Sequence, residues 1–188
     1  CLGYVALVCL LTWPLPQRMT THLTGMPSGD TGVYVWNLWV FGRELLHDGH
    51  VPFSTDYVFS EAGAADLSLH NYTPLAGLIA APLIGLVGII GSFNIILLLA
   101  LATSAIGAFA LARQIGLSTA SAWIAGALFI AAPVFTARET AHFSLLAAAP
   151  LPVFAAVLLR TLEHRRQGDA VLLGALVAIA TYCDAYYG

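Results

Sequence analysis

Five stretches of the 188-residue chain carry no charged side chain: residues 1–17, 67–112, 114–137, 143–159 and 170–183. A helix needs about 20 apolar residues to cross roughly 30 Å of hydrocarbon, and a lipid interior tolerates only backbone that satisfies its own polar groups. Repeated runs of this length predict an all-α fold, a multi-pass transmembrane helical bundle. Only 9% of the side chains are charged, against roughly 25% in a water-soluble domain, so the chain lacks the polar surface to dissolve. A net charge of −3, with arginine as its only strong base, offers no basic face for nucleic acid. Cys1, Cys9 and Cys183 sit in or beside apolar runs without the spacing of metal ligands or a disulfide framework, and read as small buried hydrophobes. The chain opens inside one apolar run and stops just after another, as expected of the N-terminal part of one larger transmembrane domain.

Residues 18–66 form the one large polar element. Asp30, Glu44, Asp48, Asp56, Glu61 and Asp66 face only Arg18 and Arg43 there. Within it, residues 33–47 read as an amphipathic helix. Asn37, Glu44, His47 and Asp48 fall on one side, and Val35, Leu38, Trp39, Leu45 and Leu46 on the other. With Tyr34, Trp36 and Trp39 at headgroup level, this helix is expected to lie in the membrane interface and to stop at Asp48-Gly49.

Arginines gather at Arg113 and at Arg160, Arg165 and Arg166, and the positive-inside rule places both groups in the cytoplasm. Two full crossings within 67–112 would put Arg113 outside. The conflict disappears if residues 74–91, rich in Gly and holding Pro74 and Pro82, form a juxtamembrane or re-entrant helix. Spans are then expected near 2–16, 93–112, 119–135, 145–159 and 170–182, with an outer loop over 17–73. Asp30, the loop carrying Arg138, Glu139 and His142, and Asp184 all fall on the outer side.

Several short motifs sit in this frame. Gly29-Asp30 follows the first span. Arg43-Glu44-Leu45-Leu46 with Gly49 and Pro52 comes next, then Asn71-Tyr72-Thr73-Pro74-Leu75 opens an apolar helix, and Leu111-Ala112-Arg113 closes a span. In this order they resemble the C-type (GT-C) membrane glycosyltransferases, among them the protein O-mannosyltransferases and the aminoarabinose lipid A transferase. That superfamily's Asp-Glu pair corresponds here to Asp30-Thr31. Its His-Pro-Pro-Leu motif corresponds to Tyr72-Thr73-Pro74-Leu75, with the nearest histidine at His70.

The resemblance implies a sugar transferred from a polyprenyl-phosphate carrier to a lipid, glycan or protein acceptor. It places the enzyme in the cell envelope, in a plasma (inner) membrane with its active face outward. It implies a catalytic role for Asp30, which also reads as a helix N-cap, and for Glu139. Arg138 and His142 are the candidates to hold the lipid phosphate, because arginine is the best partner for charge developing there. His70 and Asp184 are further candidates, although a carboxylate and tyrosines at the end of a span are ordinary interfacial residues. No cofactor fingerprint is present. A divalent metal held by Asp30, Glu139 and His142 is the one candidate ligand set, resting on a lone Glu-x-x-His. The rival function is a multi-pass transporter or flippase for a lipid-linked or polar substrate. Its mark would be ionisable residues within the spans, and the span interiors here carry none.

Overall fold

Seven helices account for most of the chain in the computed structural model, which describes all residues except 1, 26–28, 62, 69, 71, 140 and 141, and the side chain of Glu139. Cys1 and Asn71, both named above, therefore lie outside the described residues. Helix α1 (Leu2–Leu11) leads through a polar segment to α2 (Thr31–Arg43). A wider π turn (Glu44–Asp48) continues α2 and stops at Gly49, whose φ of 70° is the left-handed conformation glycine supplies at low cost. Two-residue strands β1 (Ser54–Thr55) and β2 (Ala65–Asp66) pair antiparallel inside the following loop. Then come α3 (Pro74–Gln114), α4 (Thr119–Ile130), α5 (Pro133–Glu139), α6 (Pro150–His164) and α7 (Gln167–Cys183).

Local chemistry explains the boundaries. Pro74 and Pro150 open α3 and α6 at the first turn, where a missing N–H costs nothing. Ser118 caps α4 by accepting the Ser121 amide at 3.1 Å. Pro133 ends the run expected over 119–135, so α4 stops at Ile130 and a separate α5 begins. The span expected over 145–159 starts instead at Pro150, after one tight turn at Phe143–Leu146.

Among the described residues, three stretches suffice by length and composition to cross a membrane: Pro74–Gln114, Thr119–Arg138 and Phe143–His164. Leu2–Leu11 and Gln167–Cys183 are shorter apolar helices. Leu86, Leu128, Leu162 and Val171 are exposed, the arrangement a lipid-facing surface requires. The core runs along the second half of α3, where Phe93, Leu97, Leu101 and Ala105 are buried. Small residues bring neighbouring backbones close to it. Gly107 sits against Ala149 and Pro152, and Gly126 sits against the Tyr4 hydroxyl and the Ala105 carbonyl. Tyr4 donates to the Trp123 carbonyl at 2.9 Å and stacks on the Trp123 ring.

The bundle has two chemically different ends. At one, Arg113 donates to the Leu117 carbonyl, Gln114 reaches Glu163 at 3.4 Å, and Arg160 grips buried Asp169 through two contacts of 2.5 and 3.2 Å. At the other, buried Asn94 ties α3 to the segment after α1, donating to the Met19 and His22 carbonyls at 2.7 Å each. Asp30 and His142 meet at this second end.

Helix α3 is two helices. Gly88, with φ 73° and ψ 172°, breaks it into arms over 74–87 and 89–114. Leu75 and Ile79 from one arm, and Ile96, Leu99 and Ala100 from the other, line one small cavity of about 70 Å³, so the arms fold toward each other. The break comes three residues before the limit expected at residue 91.

Burial along helix α2 does not follow polarity. Asn37 and Glu44 are buried, at 1% and 3% exposure, as is Leu38 of the apolar side, whereas Trp39 and Leu46 of that side are 38% and 63% exposed. The polar residues turn inward because each finds a partner in the following loop. His70 Nε2 contacts Asn37 Oδ1 at 3.2 Å, and His50 Nδ1 contacts Glu44 Oε2 at 3.2 Å.

Candidate functional site

Asp30 starts α2 with helical backbone angles, yet its side chain makes no capping hydrogen bond. Its carboxylate points instead across the bundle, and Oδ2 lies 3.3 Å from His142 Nδ1. The structure thus brings together the first loop and the connection between α5 and α6. About half of the Asp30 side chain is exposed and about a quarter of the His142 side chain, so the pair lies at the surface and not in the core.

What holds His142 in place was not legible from motifs. Tyr34, one helical turn beyond Asp30 and 1% exposed, packs edge-on against the His142 ring and against Phe143, with centroids at 6.0 and 4.9 Å. Ser144 donates to the Tyr34 hydroxyl at 3.2 Å, and Phe143 leans on Phe93 of α3. The i, i+4 spacing of Asp30 and Tyr34 was the available signal, since it sets both on one helix face. Nothing in the sequence marks Ser144 as their neighbour.

Arg138 lies in the last turn of α5 with its side chain exposed and, among the described residues, without a carboxylate partner. Its carbonyl accepts the His142 amide at 2.8 Å, which couples it to the pair through backbone. It borders a cleft of about 320 Å³ lined largely by apolar groups, among them Phe129, Phe135, Leu151 and Tyr187. Tyr187 donates to the Leu145 carbonyl. Burial, and then the Asp184 charge, push its phenol up to about 12, so it stays a donor at neutral pH.

A second groove of about 330 Å³ is walled by Phe41, Phe53, Leu75, Leu78, Ile179 and Tyr182 and exposes no polar surface. The cleft is suited to an amphiphile with an anionic head, and the groove to a hydrocarbon chain.

The remaining candidates stand apart from the pair. His70 bonds Asn37 two turns along α2 and packs edge-on to Trp36. Asp184 is 1% exposed and holds the tight turn Ala185–Tyr187 by accepting the Tyr186 amide at 2.8 Å. It is therefore buried within the protein. Its second oxygen has no hydrogen-bond partner among the described residues. Glu139 keeps its backbone place at the end of α5, and its side chain lies outside the described residues.

Over residues 34–182 the sequence matches a family described as Predicted membrane protein (DUF2079). The chain belongs to that family. Arg138, Glu139 and His142 of this DUF2079 protein fall within the matched residues, and Asp30 and Asp184 just outside them. No curated protein and no solved structure matches it. As to a metal, no three His, Cys, Asp or Glu side chains gather closely enough to hold one among the described residues. Asp30 and His142 alone are an incomplete ligand set for a divalent ion.

Proposed function

We propose that this protein is part of a membrane glycosyltransferase that moves a sugar from a polyprenyl-phosphate carrier to an acceptor. The observation that carries the reading is the meeting of Asp30 and His142 at 3.3 Å. Proton-handling groups from two distant parts of the chain converge at the surface of the bundle, and Arg138, whose carbonyl accepts the His142 amide, borders a largely apolar cleft. Transfer from such a donor needs a group to take the acceptor's proton and a cation to meet the charge growing on the phosphate. The Asp30–His142 pair supplies the first and Arg138 the second. The wholly apolar groove offers a place for the isoprenoid chain.

The test is transfer of radiolabelled sugar from a panel of polyprenyl-phosphate donors by the full-length protein in proteoliposomes. Wild type transfers sugar. Asp30→Asn inserts normally and loses at least about 100-fold in rate, the low end for a general acid or base. Movement of a donor across the bilayer without transfer would mark a flippase instead, and wild-type turnover in Asp30→Asn would remove Asp30 from the mechanism.

A further inference from the structure

We propose that the acceptor's proton is taken by Nε2 of His142, and that Asp30 is the positioning carboxylate that fixes the imidazole in the tautomer able to do so. The inference rests on the glycosyl-transfer reading and specifies which atom of that site acts as base.

The geometry distinguishes the two ring nitrogens. Nδ1 is the ring nitrogen that lies 3.3 Å from a carboxylate oxygen of Asp30. No described residue bonds Nε2. A carboxylate at one nitrogen keeps the proton there and leaves the lone pair of the other available. The ring is also held against rotation. Tyr34 packs on its edge, Phe143 and Ser144 fix Tyr34, and Phe93 of α3 supports Phe143. Asp30, by contrast, has a side chain 54% exposed. A solvated carboxylate is ordinarily a weak base toward a hydroxyl at neutral pH, and an imidazole is far better matched to that task.

The same contact argues against a phosphate on His142. An anion seated on this ring would meet the Asp30 carboxylate a few ångströms away. Arg138 has no such neighbour among the described residues, and it borders the cleft.

The step balances. The acceptor hydroxyl gives its proton to Nε2 as its oxygen bonds the anomeric carbon. The bond from that carbon to the phosphate oxygen breaks, its electron pair stays on the polyprenyl phosphate, and Arg138 meets the new charge. The imidazolium, paired with Asp30, then loses its proton to water.

Two measurements on the full-length protein test this. In nanodiscs with ¹⁵N-labelled histidine, the His142 signal, assigned by its loss in His142→Gln, shows the neutral form protonated at Nδ1. Asp30→Asn moves it toward the other tautomer. In the transfer assay, His142→Ala lowers kcat at least about 100-fold, leaves the donor KM within about threefold of wild type, and recovers in part with added imidazole. Asp30→Ala does not recover with imidazole.

A His142 ring protonated at Nε2, or unmoved by Asp30→Asn, overturns the pairing whatever the activity. A His142→Ala protein that binds donor poorly, keeps kcat and ignores imidazole assigns His142 to the phosphate and overturns the base. The expected tautomer in a wild-type protein that transfers nothing overturns the glycosyl-transfer reading, and with it the role of Nε2, while the contact itself stands.

Discussion

At Gly77 the missing side chain lets two helices touch. A methyl group there would sit 2.4 Å from Cγ of Phe41 and 2.9 Å from its Cβ, both closer than carbon atoms approach. The Phe41 ring reaches back onto Tyr72, so it has little freedom to move aside. Gly77→Ala should therefore destabilise the protein by about 1–3 kcal/mol, the usual cost of overfilling a packed site. Thermal unfolding in detergent would read this as a lower midpoint. Phe41→Ala removes the ring atoms and leaves only the Cβ contact at 2.9 Å, so adding Gly77→Ala to that variant should cost less than it does in the wild type. An equal loss in both backgrounds would show that the contact does not limit the packing. Sequence alone offered Gly77 only as one of several glycines in a Pro-rich run. Asp30 and His142 were more legible, since each sits where the order of apolar runs leaves a polar connection on one side. Their partner Tyr34 was not, because burial of a tyrosine depends on neighbours that local pattern does not contain.

Helix α3 turns on a single residue. The conformation of Gly88, with positive φ and extended ψ, is one that residues with a Cβ adopt only under strain. Open space surrounds the position, so a substitution there tests backbone alone. Gly88→Ala should cost about 1–3 kcal/mol and loosen the meeting of the two arms, seen as faster amide exchange over 89–94 with 100–112 unchanged. No change in exchange would mean that the turn does not need glycine.

The loop after α2 invites a test by pH. Contacts from His47 and the Tyr57 hydroxyl, then the charge of Arg43, hold the Asp48 carboxyl below the ordinary carboxylate range. A lowered folded value means that this network stabilises the loop fully above about pH 4, the unfolded reference, and loses that contribution as pH falls through the folded value. Trp39, edge-on to Tyr57 at 5.0 Å, should report the loss as a change in fluorescence at acid pH that Asp48→Asn abolishes. Helix boundaries were largely legible here because Pro, Gly and Ser punctuate them. Which side chains of α2 are buried was not. Periodicity sorts residues by polarity, and on this helix Trp39 and Leu46 stay exposed while Asn37 and Glu44 bond inward to histidines of the following loop.

For the whole molecule, the question is how many times the chain crosses. The arm over 74–87 spans only about 21 Å at 1.5 Å per residue, less than the roughly 30 Å of hydrocarbon. Its contacts lie near Phe41 and Tyr182, and Gly91, just past the break, meets Thr20, all away from the Arg160–Asp169 end. The five-crossing reading therefore expects exposed Thr21 and Asp56 on one side of the membrane and exposed Ser118 and Gln167 on the other. Single cysteines at these positions, labelled with an impermeant reagent in sealed vesicles, should fall into those two groups. Labelling of Thr21→Cys and Ser118→Cys from one side would refute it.

The inward-facing polar residues of α2 also impose an order on biosynthesis. Asn37 and Glu44 leave the ribosome before His70 and His50, the groups that satisfy them in the finished protein. Until those histidines arrive, an amide and a carboxylate without these contacts resist entry into hydrocarbon. The amphiphilic segment therefore waits at the membrane surface and takes its final seat only after the loop that follows it has been made. Truncated nascent chains ending before His70 should hold α2 in a water-accessible position, and longer ones should shield it.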